Sequence, residues 1–376
     1  HKKNMRIIRR SWWTWRLNIN MSDFKINSIA TKQGQHGPVI AGVSTINSTG
    51  CMKIPSGPTE NRGGRGRGVF GTGYNNAPNS SLNSMQFVTI ATTGNTEDFG
   101  DLADSSIAKA SFGSATRGFF AGGDSVPGQV DNKAIEFTIL SSSGGGNDFG
   151  DMTSTKAYLT GMSNDVRGFM VGGATTPEYV NQNTIEFVTM ASTGDATDFG
   201  DLSVITRAGS SAASNTRGLL QIGQSNPLTA GYRRIEFITL STLGNSQFFG
   251  EITTLAKAGS AAFASSTRAC FCGGVGTTSD ATHISNVIDF VTISTLGNAQ
   301  DFGDTTVAVS ALAGASNSTR GLHAGGRTGT PAAEALQNVI GFITIASTGN
   351  ASDFGDLVTP TRYLAGCSDS HGGIGE

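Results

Sequence analysis

Residues Thr116–Gly123 read TRGFFAGG; a polar loop follows, then Ile135–Leu140 (IEFTIL), a second polar loop and Asp148–Asp151 (DFGD). The chain repeats this pattern six times, with the glycine of the last motif at Gly100, Gly150, Gly200, Gly250, Gly303 and Gly355. The spacings are therefore 50, 50, 50, 53 and 52 residues. A period of this size means a propeller, a solenoid or an array of supersecondary units. Function must then be argued from what departs from the repeat.

Each copy begins with an arginine: Arg67, Arg117, Arg167, Arg217, Arg268 or Arg320. The short apolar run it leads ends in small residues such as Gly122-Gly123, where a Cβ would block a close approach or a positive φ. About ten polar residues follow, with proline at Pro78, Pro127, Pro177, Pro227 and Pro331, where a turn accepts it and a central strand would not. The next run, headed by Met85, Ile135, Ile185, Ile235, Ile288 or Ile340, is rich in β-branched and aromatic residues and reads as a strand sandwiched between sheets. After DFGD comes a stretch of small residues, such as Thr155–Ser163, suited to the crowded strand nearest an axis. The first copy lacks such a strand before it, while the last is followed by one at Thr361–Ser368. Pairing the two predicts an all-β propeller of six four-stranded blades closed by the C-terminal strand, which leaves no open sheet edge.

Composition agrees with one β domain. Gly numbers 52 and charged residues make up 14%, too little charge for a disordered chain and too many turn formers for a helical one. No run of about 18 apolar residues exists to insert in a membrane. Residues 1–20 carry six basic side chains, no acidic one and all three tryptophans; the remainder holds twenty basic against 28 acidic groups, a net charge of −8. A mildly acidic body argues against a nucleic-acid partner, which needs a basic face. The abrupt change at Met21 predicts that the protein proper starts there and that residues 1–20 are upstream-translated sequence, a membrane-active or nucleic-acid-binding arm being the other reading. Residues 21–60 read as an extended β arm that anchors the chain to a partner, and 61–376 as the propeller.

No catalytic or cofactor pattern stands out. Cys51, Cys270, Cys272 and Cys367 fit no metal spacing and read as small strand hydrophobes. The five histidines, His1, His36, His283, His323 and His371, follow no ligand pattern. DFGD matches the magnesium motif of kinases, but six copies without a lysine strand or an HRD motif exclude that chemistry. Its acids, Asp151, Asp201 and Asp304 among them, recur with Arg117, Arg167 and Arg217, and predict ring-wise Arg–carboxylate pairs or turn-capping hydrogen bonds. The expectation is a protein that is not an enzyme and binds no cofactor or metal.

The order of a basic residue, a small-residue strand, a Gly-Gly pair and an aromatic strand resembles the kelch-type propeller repeat, over about residues 67–370. It departs from that family in carrying Phe where kelch blades carry Trp and in lacking most of their tyrosines. More narrowly, TRGFFAGG, IEFVT followed by STGN, and FGDL resemble repeat proteins of marine tailed phages, cyanophages especially. Val39–Thr45 with Ile54–Thr59 resembles the N-terminal part of their virion fibre and structural proteins. The resemblance implies a virion location, attachment to other virion proteins through Met21–Glu60, and a homotrimer.

Between copies the loop after each Gly pair varies most, and variable loops on a constant scaffold mark a recognition surface. Tyr179, Tyr232 and Arg233 are the first candidates for binding a host-surface glycan or protein, with His283 and Arg327 in neighbouring loops. An assembly scaffold that binds other virion proteins, or a non-viral kelch-like interaction module, are the alternatives.

Overall fold

The computed structural model describes residues 66–76, 79–225, 233–253, 257–276, 283–329 and 333–374. Residues 1–65, with the arm, and Tyr232 lie outside them. The described residues form a six-bladed β-propeller of antiparallel sheets, five of four strands and one with Ala174–Thr175 as a short fifth, beside two two-stranded ribbons, Lys257–Ala258 with Val275–Gly276 and Arg327–Thr328 with Ala335–Leu336. Blade 2 is typical: Ala110–Gly113 lies innermost, followed outward by Arg117–Ala121, Ala134–Ile139 and Asn147–Asp151. Blade 1 takes its innermost strand from the other end of the chain, with Gly68 opposite Ser368 and Gly71 opposite Ala365. The predicted closure by the C-terminal strand is therefore present.

Close packing at the axis explains the small residues there. A Cβ on Gly161 would lie 2.4 Å from the Ser111 carbonyl oxygen of the neighbouring blade, and one on Gly314 would lie 2.4 Å from that of Ala262. Hydroxyls join the inner strands further, as Ser163 Oγ donates to Gly113 O at 2.6 Å and Ser316 Oγ to Ala264 O at 2.9 Å.

The motifs that recur are architecture. In DFGD the phenylalanine is the extra residue of a β-bulge: Gly150 pairs with Ile135 and Asp148 with Glu136, so Phe149 turns into the core. It meets Phe137 and Phe119 edge to face at centroid distances of 6.0 and 5.1 Å. Gly150 has φ +151°, and a Cβ there would strike the Gly194 carbonyl oxygen of the next blade at 2.4 Å. Each repeat arginine lies over its own blade's strand phenylalanine, Arg117 over Phe137 at 4.6 Å and Arg217 over Phe237 at 4.6 Å. It then donates to a carbonyl of the next blade: Arg117 to Met190 O at 3.0 Å, Arg167 to Leu240 O at 3.1 Å, Arg217 to Ile293 O at 2.7 Å, and Arg320 to Ile90 O at 3.3 Å across the closure. Main-chain carbonyls thus take the ring-wise role expected of carboxylates. In the turns the capping side chains are not these acids: Asp151, Asp201 and Asp304 offer main-chain N–H groups to the side chains of Asp195, Asn245 and Asn350 of the next turn, at 3.0 Å each. Asp151 also pairs with Lys133 at 2.9 Å, on the surface.

The strand read as apolar on both faces hides an acid. Glu136, Glu186, Glu236 and Asp289 are all buried. Lys156 Nζ approaches Glu186 Oε1 to 2.5 Å and Lys257 Nζ approaches Asp289 Oδ2 to 3.0 Å. The same carboxylates accept main-chain N–H groups of the preceding blade, Thr153 to Glu186 at 3.1 Å and Thr253 to Asp289 at 3.1 Å. Cys270, Cys272 and Cys367 are buried and free, and burial pushes the Cys272 thiol up to about 12, so these are inert core side chains. Apolar clusters fill the spaces between adjacent blades, as where Leu219, Phe237 and Phe249 meet Phe271 and Val291.

Candidate functional site

The innermost strand of every blade is entered through one residue of positive φ: Ala108 (+55°), Tyr158 (+58°), Ala208 (+51°), Gly259 (+61°), Ala311 (+57°) and Tyr363 (+54°). These six form a closed ring of main-chain hydrogen bonds around the axis. Ala108 donates to Tyr363 O at 2.9 Å, Tyr158 to Ala108 O at 2.9 Å, Ala208 to Tyr158 O at 2.8 Å, Gly259 to Ala208 O at 2.8 Å, Ala311 to Gly259 O at 2.7 Å and Tyr363 to Ala311 O at 2.8 Å. The left-handed conformation costs an L-residue about 1 kcal/mol, and the ring holds it in place.

This ring lies at the end of the axis where the variable loops emerge, since the residue before each ring member bridges to the residue after each Gly pair: Arg362 to Tyr74, Ile107 to Asp124, Arg207 to Gln224 and Ser310 to Arg327. Two of the six ring positions carry tyrosine where the others are Ala or Gly. Tyr158 and Tyr363 meet edge to face at 5.6 Å, and Tyr179 from the blade 3 loop meets Tyr158 at 5.8 Å. Arg207 caps one side of this group, 4.6 Å over the Tyr179 ring. Arg362 caps the other, 5.2 Å from Tyr363 and 4.6 Å from Tyr74. The result is a continuous row of Arg207, Tyr179, Tyr158, Tyr363, Arg362 and Tyr74 across the loop end. It contains all four tyrosines among the described residues.

Charge around the row is arranged unevenly. Glu334 Oε2 is shared by Arg327 at 2.9 Å and Arg362 at 2.7 Å, one acid for two cations. Arg207 instead reaches Gln224 Oε1 at 3.0 and 3.2 Å and Tyr179 O at 3.4 Å, and burial draws its pKa below the usual guanidinium value. On the blade 2 side Asp124 is 1% exposed, and its carboxyl is pushed up to about 6 by burial and by the charge of Asp131. Asp131 itself accepts from Thr176 N at 2.6 Å and Thr176 Oγ1 at 2.8 Å. Burial, reinforced by Tyr363 and Tyr179, raises the Tyr158 hydroxyl, which therefore stays protonated near neutral pH.

Buried polar atoms without a hydrogen-bond partner gather at this end: Thr72 Oγ1, Ser106 Oγ, Asp124 Oδ1, Asn181 Oδ1, Ser310 Oγ, Arg327 Nε and Arg362 Nε. Asp124, Ser310, Arg327 and Arg362 directly precede a ring member or follow a Gly pair, and Thr72, Ser106 and Asn181 lie within a few residues of these positions or pair with them in the sheet. Below the ring lies an axial cavity of about 100 Å³ lined by Thr160, Ser210 and Ser260 among others.

Of the residues singled out from the sequence, Tyr179 and Arg327 belong to this end. Arg233 donates to Ile252 O and Thr253 O at 2.8 to 3.1 Å, away from the row. His283 is exposed on the blade 5 loop, where its carbonyl accepts from Gly276 N at 2.9 Å. Tyr158, Tyr363, Tyr74, Arg207 and Arg362 were missed. Their signal is the departure of Lys156-Ala157-Tyr158 and Thr361-Arg362-Tyr363 from the Ala or Gly of the other copies. Among the described residues no group of three or more His, Cys, Asp and Glu side chains is placed to hold a metal ion. No protein-family model and no curated protein matches the chain.

Proposed function

We propose that this chain is a recognition module without enzymatic activity, and that the loop end of its axis binds a host-surface glycan or protein. The observation that carries the reading is the tyrosine and arginine row at the same end as seven unpartnered buried polar atoms, because Tyr and Arg dominate binding hot spots and orphaned polar groups cost free energy until a partner meets them. The propeller fold is compatible with an interaction role and supplies the rigid frame. The repeat's resemblance to phage virion proteins supports a virion as the setting, with Met21–Glu60 as the attachment to other virion proteins and a homotrimer as the displayed form. Assembly on the virion without host binding is the competing outcome.

Tyr158→Ala and Tyr363→Ala test the reading with little risk to the fold, because Ala108, Ala208 and Ala311 occupy the same ring position. Each variant is expected to weaken binding of the purified protein to host cells at least tenfold, a loss of about 1.4 kcal/mol. Unchanged cell binding by both variants overturns the loop end as the recognition surface. Immunogold localisation of the chain away from virions overturns the setting.

A further inference from the structure

Resting on that reading, we infer that the ligand taken at the loop end is a sugar bearing an anionic group, with the anion at Arg207 and the sugar hydroxyls on the blade 2 and blade 3 side. Three observations converge. Arg207 is half-buried and has no carboxylate partner among the described residues, its guanidinium being held by the neutral Gln224 Oε1 and Tyr179 O. A partly buried cation without a counter-ion is stabilised by an incoming anion, and a guanidinium fork fits carboxylate or sulfate oxygens in two-pronged fashion.

The second observation is the pair of orphaned acceptors. Asp124 and Asn181 are 1% and 4% exposed, and each carries an Oδ1 without a donor. Asn181 is tied into the same site, because its Nδ2 donates at 2.8 Å to the Gln224 carbonyl, on the residue that holds Arg207. Asp124 is close enough for its charge to act on the Tyr158 hydroxyl. Acceptors of this kind call for a ligand rich in O–H donors.

Third, the span from Arg207 and Asn181 to Asp124 is paved by Tyr179 and Tyr158, half-buried rings whose remaining surface suits the flat apolar face of a pyranose. A ligand with one anionic group, several hydroxyl donors and a rigid apolar face is an acidic carbohydrate. An acidic peptide supplies the anion but neither the clustered hydroxyls nor the rigid face.

The titratable groups facing Arg207 and Tyr158 are Tyr179, Tyr363, Asp124 and, beyond it, Asp131. Ionisation of Asp124 above about pH 6 leaves it a stronger acceptor for hydroxyls and a repellent for a second anion. A singly charged sugar unit is therefore preferred to a densely charged one.

Calorimetric titration of the full chain at pH 7 tests the inference. The probes are 3′-sialyllactose, lactose 3′-sulfate and unsubstituted lactose, with Arg207→Gln and Tyr158→Ala as variants. Expected are binding of one or both charged probes at least tenfold tighter than lactose, loss of that preference in Arg207→Gln, and weakening of all probes alike in Tyr158→Ala. Preference for the sialyl or for the sulfated probe identifies the anion as carboxylate or sulfate. Equal affinity for lactose, an unchanged preference in Arg207→Gln, or no binding to any probe overturns the inference. Cell binding that remains sensitive to Tyr158→Ala under those outcomes leaves the recognition reading standing. Should Arg207→Gln fail to fold, Arg207→Lys, which keeps the charge and loses the fork, is expected to reduce the preference without abolishing it.

Discussion

The two ends of the axis are built from the same six strands and differ in how their polar atoms are treated. At the end away from the variable loops, the residues after the closing strand turn into the axis and partner nearly everything they meet. His371 Nε2 lies 2.9 Å from Gly113 O and 3.1 Å from Ser163 Oγ, its Nδ1 accepts from Gly373 N at 3.1 Å, and Gly372 N donates to Ala264 O at 3.0 Å. A cavity of about 60 Å³ lies behind this plug. At the loop end seven buried polar atoms remain without partners beside a row of tyrosines. Among the described residues the plug end leaves only Ser370 Oγ unpartnered against seven such atoms at the loop end, and because folding alone favours partnering every buried group, this contrast is what the proposed contact role of the loop end would explain.

The largest effect that separates the ends should come from Gly373. A Cβ there would sit 1.9 Å from the Ser163 carbonyl oxygen and 2.9 Å from the His371 ring, with backbone on one side and no room to yield. Gly373→Val is expected to expel the plug and cost about 2–4 kcal/mol in chemical denaturation, while ligand or cell binding at the loop end, measured on the folded fraction, stays at the parent level. Loss of binding in parallel with stability would show that the ends are not separate.

How much of this was legible in the sequence follows from what repeats. Blade number, closure by Thr361–Ser368 and the structural standing of Arg117, Asp151 and their counterparts are fixed by periodicity, because each copy must satisfy the same neighbours. The buried acids of Glu136, Glu186, Glu236 and Asp289 were hidden by the apolar residues around them, although an acid in four of six otherwise apolar strands was the available signal. The site was half legible. Tyr179 lies in a variable loop, the place variation marks for recognition, but Tyr158, Arg207, Arg362 and Tyr363 lie in the small-residue stretches that composition assigns to axis packing, just ahead of the inner strands Thr160–Ser163, Ser210–Ala213 and Ala365–Ser368. Only the ring of positive φ brings their side chains out at the loop end, and a positive φ on tyrosine leaves no mark in composition or period.

The two ends should also titrate in opposite senses. Asp124 is raised from an ordinary value of 3.8 to about 6, so its contribution to stability is present below 3.8 and lost as pH rises through 6. His371 is lowered from 6.5 by burial, so its contribution is present above 6.5 and lost as pH falls toward its folded value. Asp124→Asn is expected to raise stability at pH 7 by about 2 kcal/mol and by nearly nothing at pH 3.5. His371→Gln is expected to lower it at pH 7 by about 1 kcal/mol, the loss of a hydrogen bond, and to flatten the acid side of the profile. Thermal midpoints across pH 3.5 to 8 read both. A gain for Asp124→Asn that does not change with pH would remove the buried charge from the account of the loop end.

The smallest effect bears on why tyrosine stands at Tyr158 and Tyr363 at all. Ala108, Ala208 and Ala311 accept a left-handed backbone for the sake of the ring, and Gly259 accepts it without strain. Ala311→Gly should therefore raise the unfolding free energy by about 0.5–1 kcal/mol, less whatever the unfolded chain gains in freedom, and Gly259→Ala should lower it. A β-carbon on Gly259 would also come within 3.0 Å of Ala311 N, so the second change should be the larger of the two. If both follow, the ring costs each non-glycine member a measurable strain, and nothing in blade packing asks that member to be large. Tyr158 and Tyr363 then carry their side chains at positions where alanine closes the ring equally well. A selective reason for tyrosine must lie outside the ring's own stability, at the contact end. If Ala311→Gly instead destabilises, the ring is better adapted to a side chain than to its absence, and the tyrosines need no ligand to account for them.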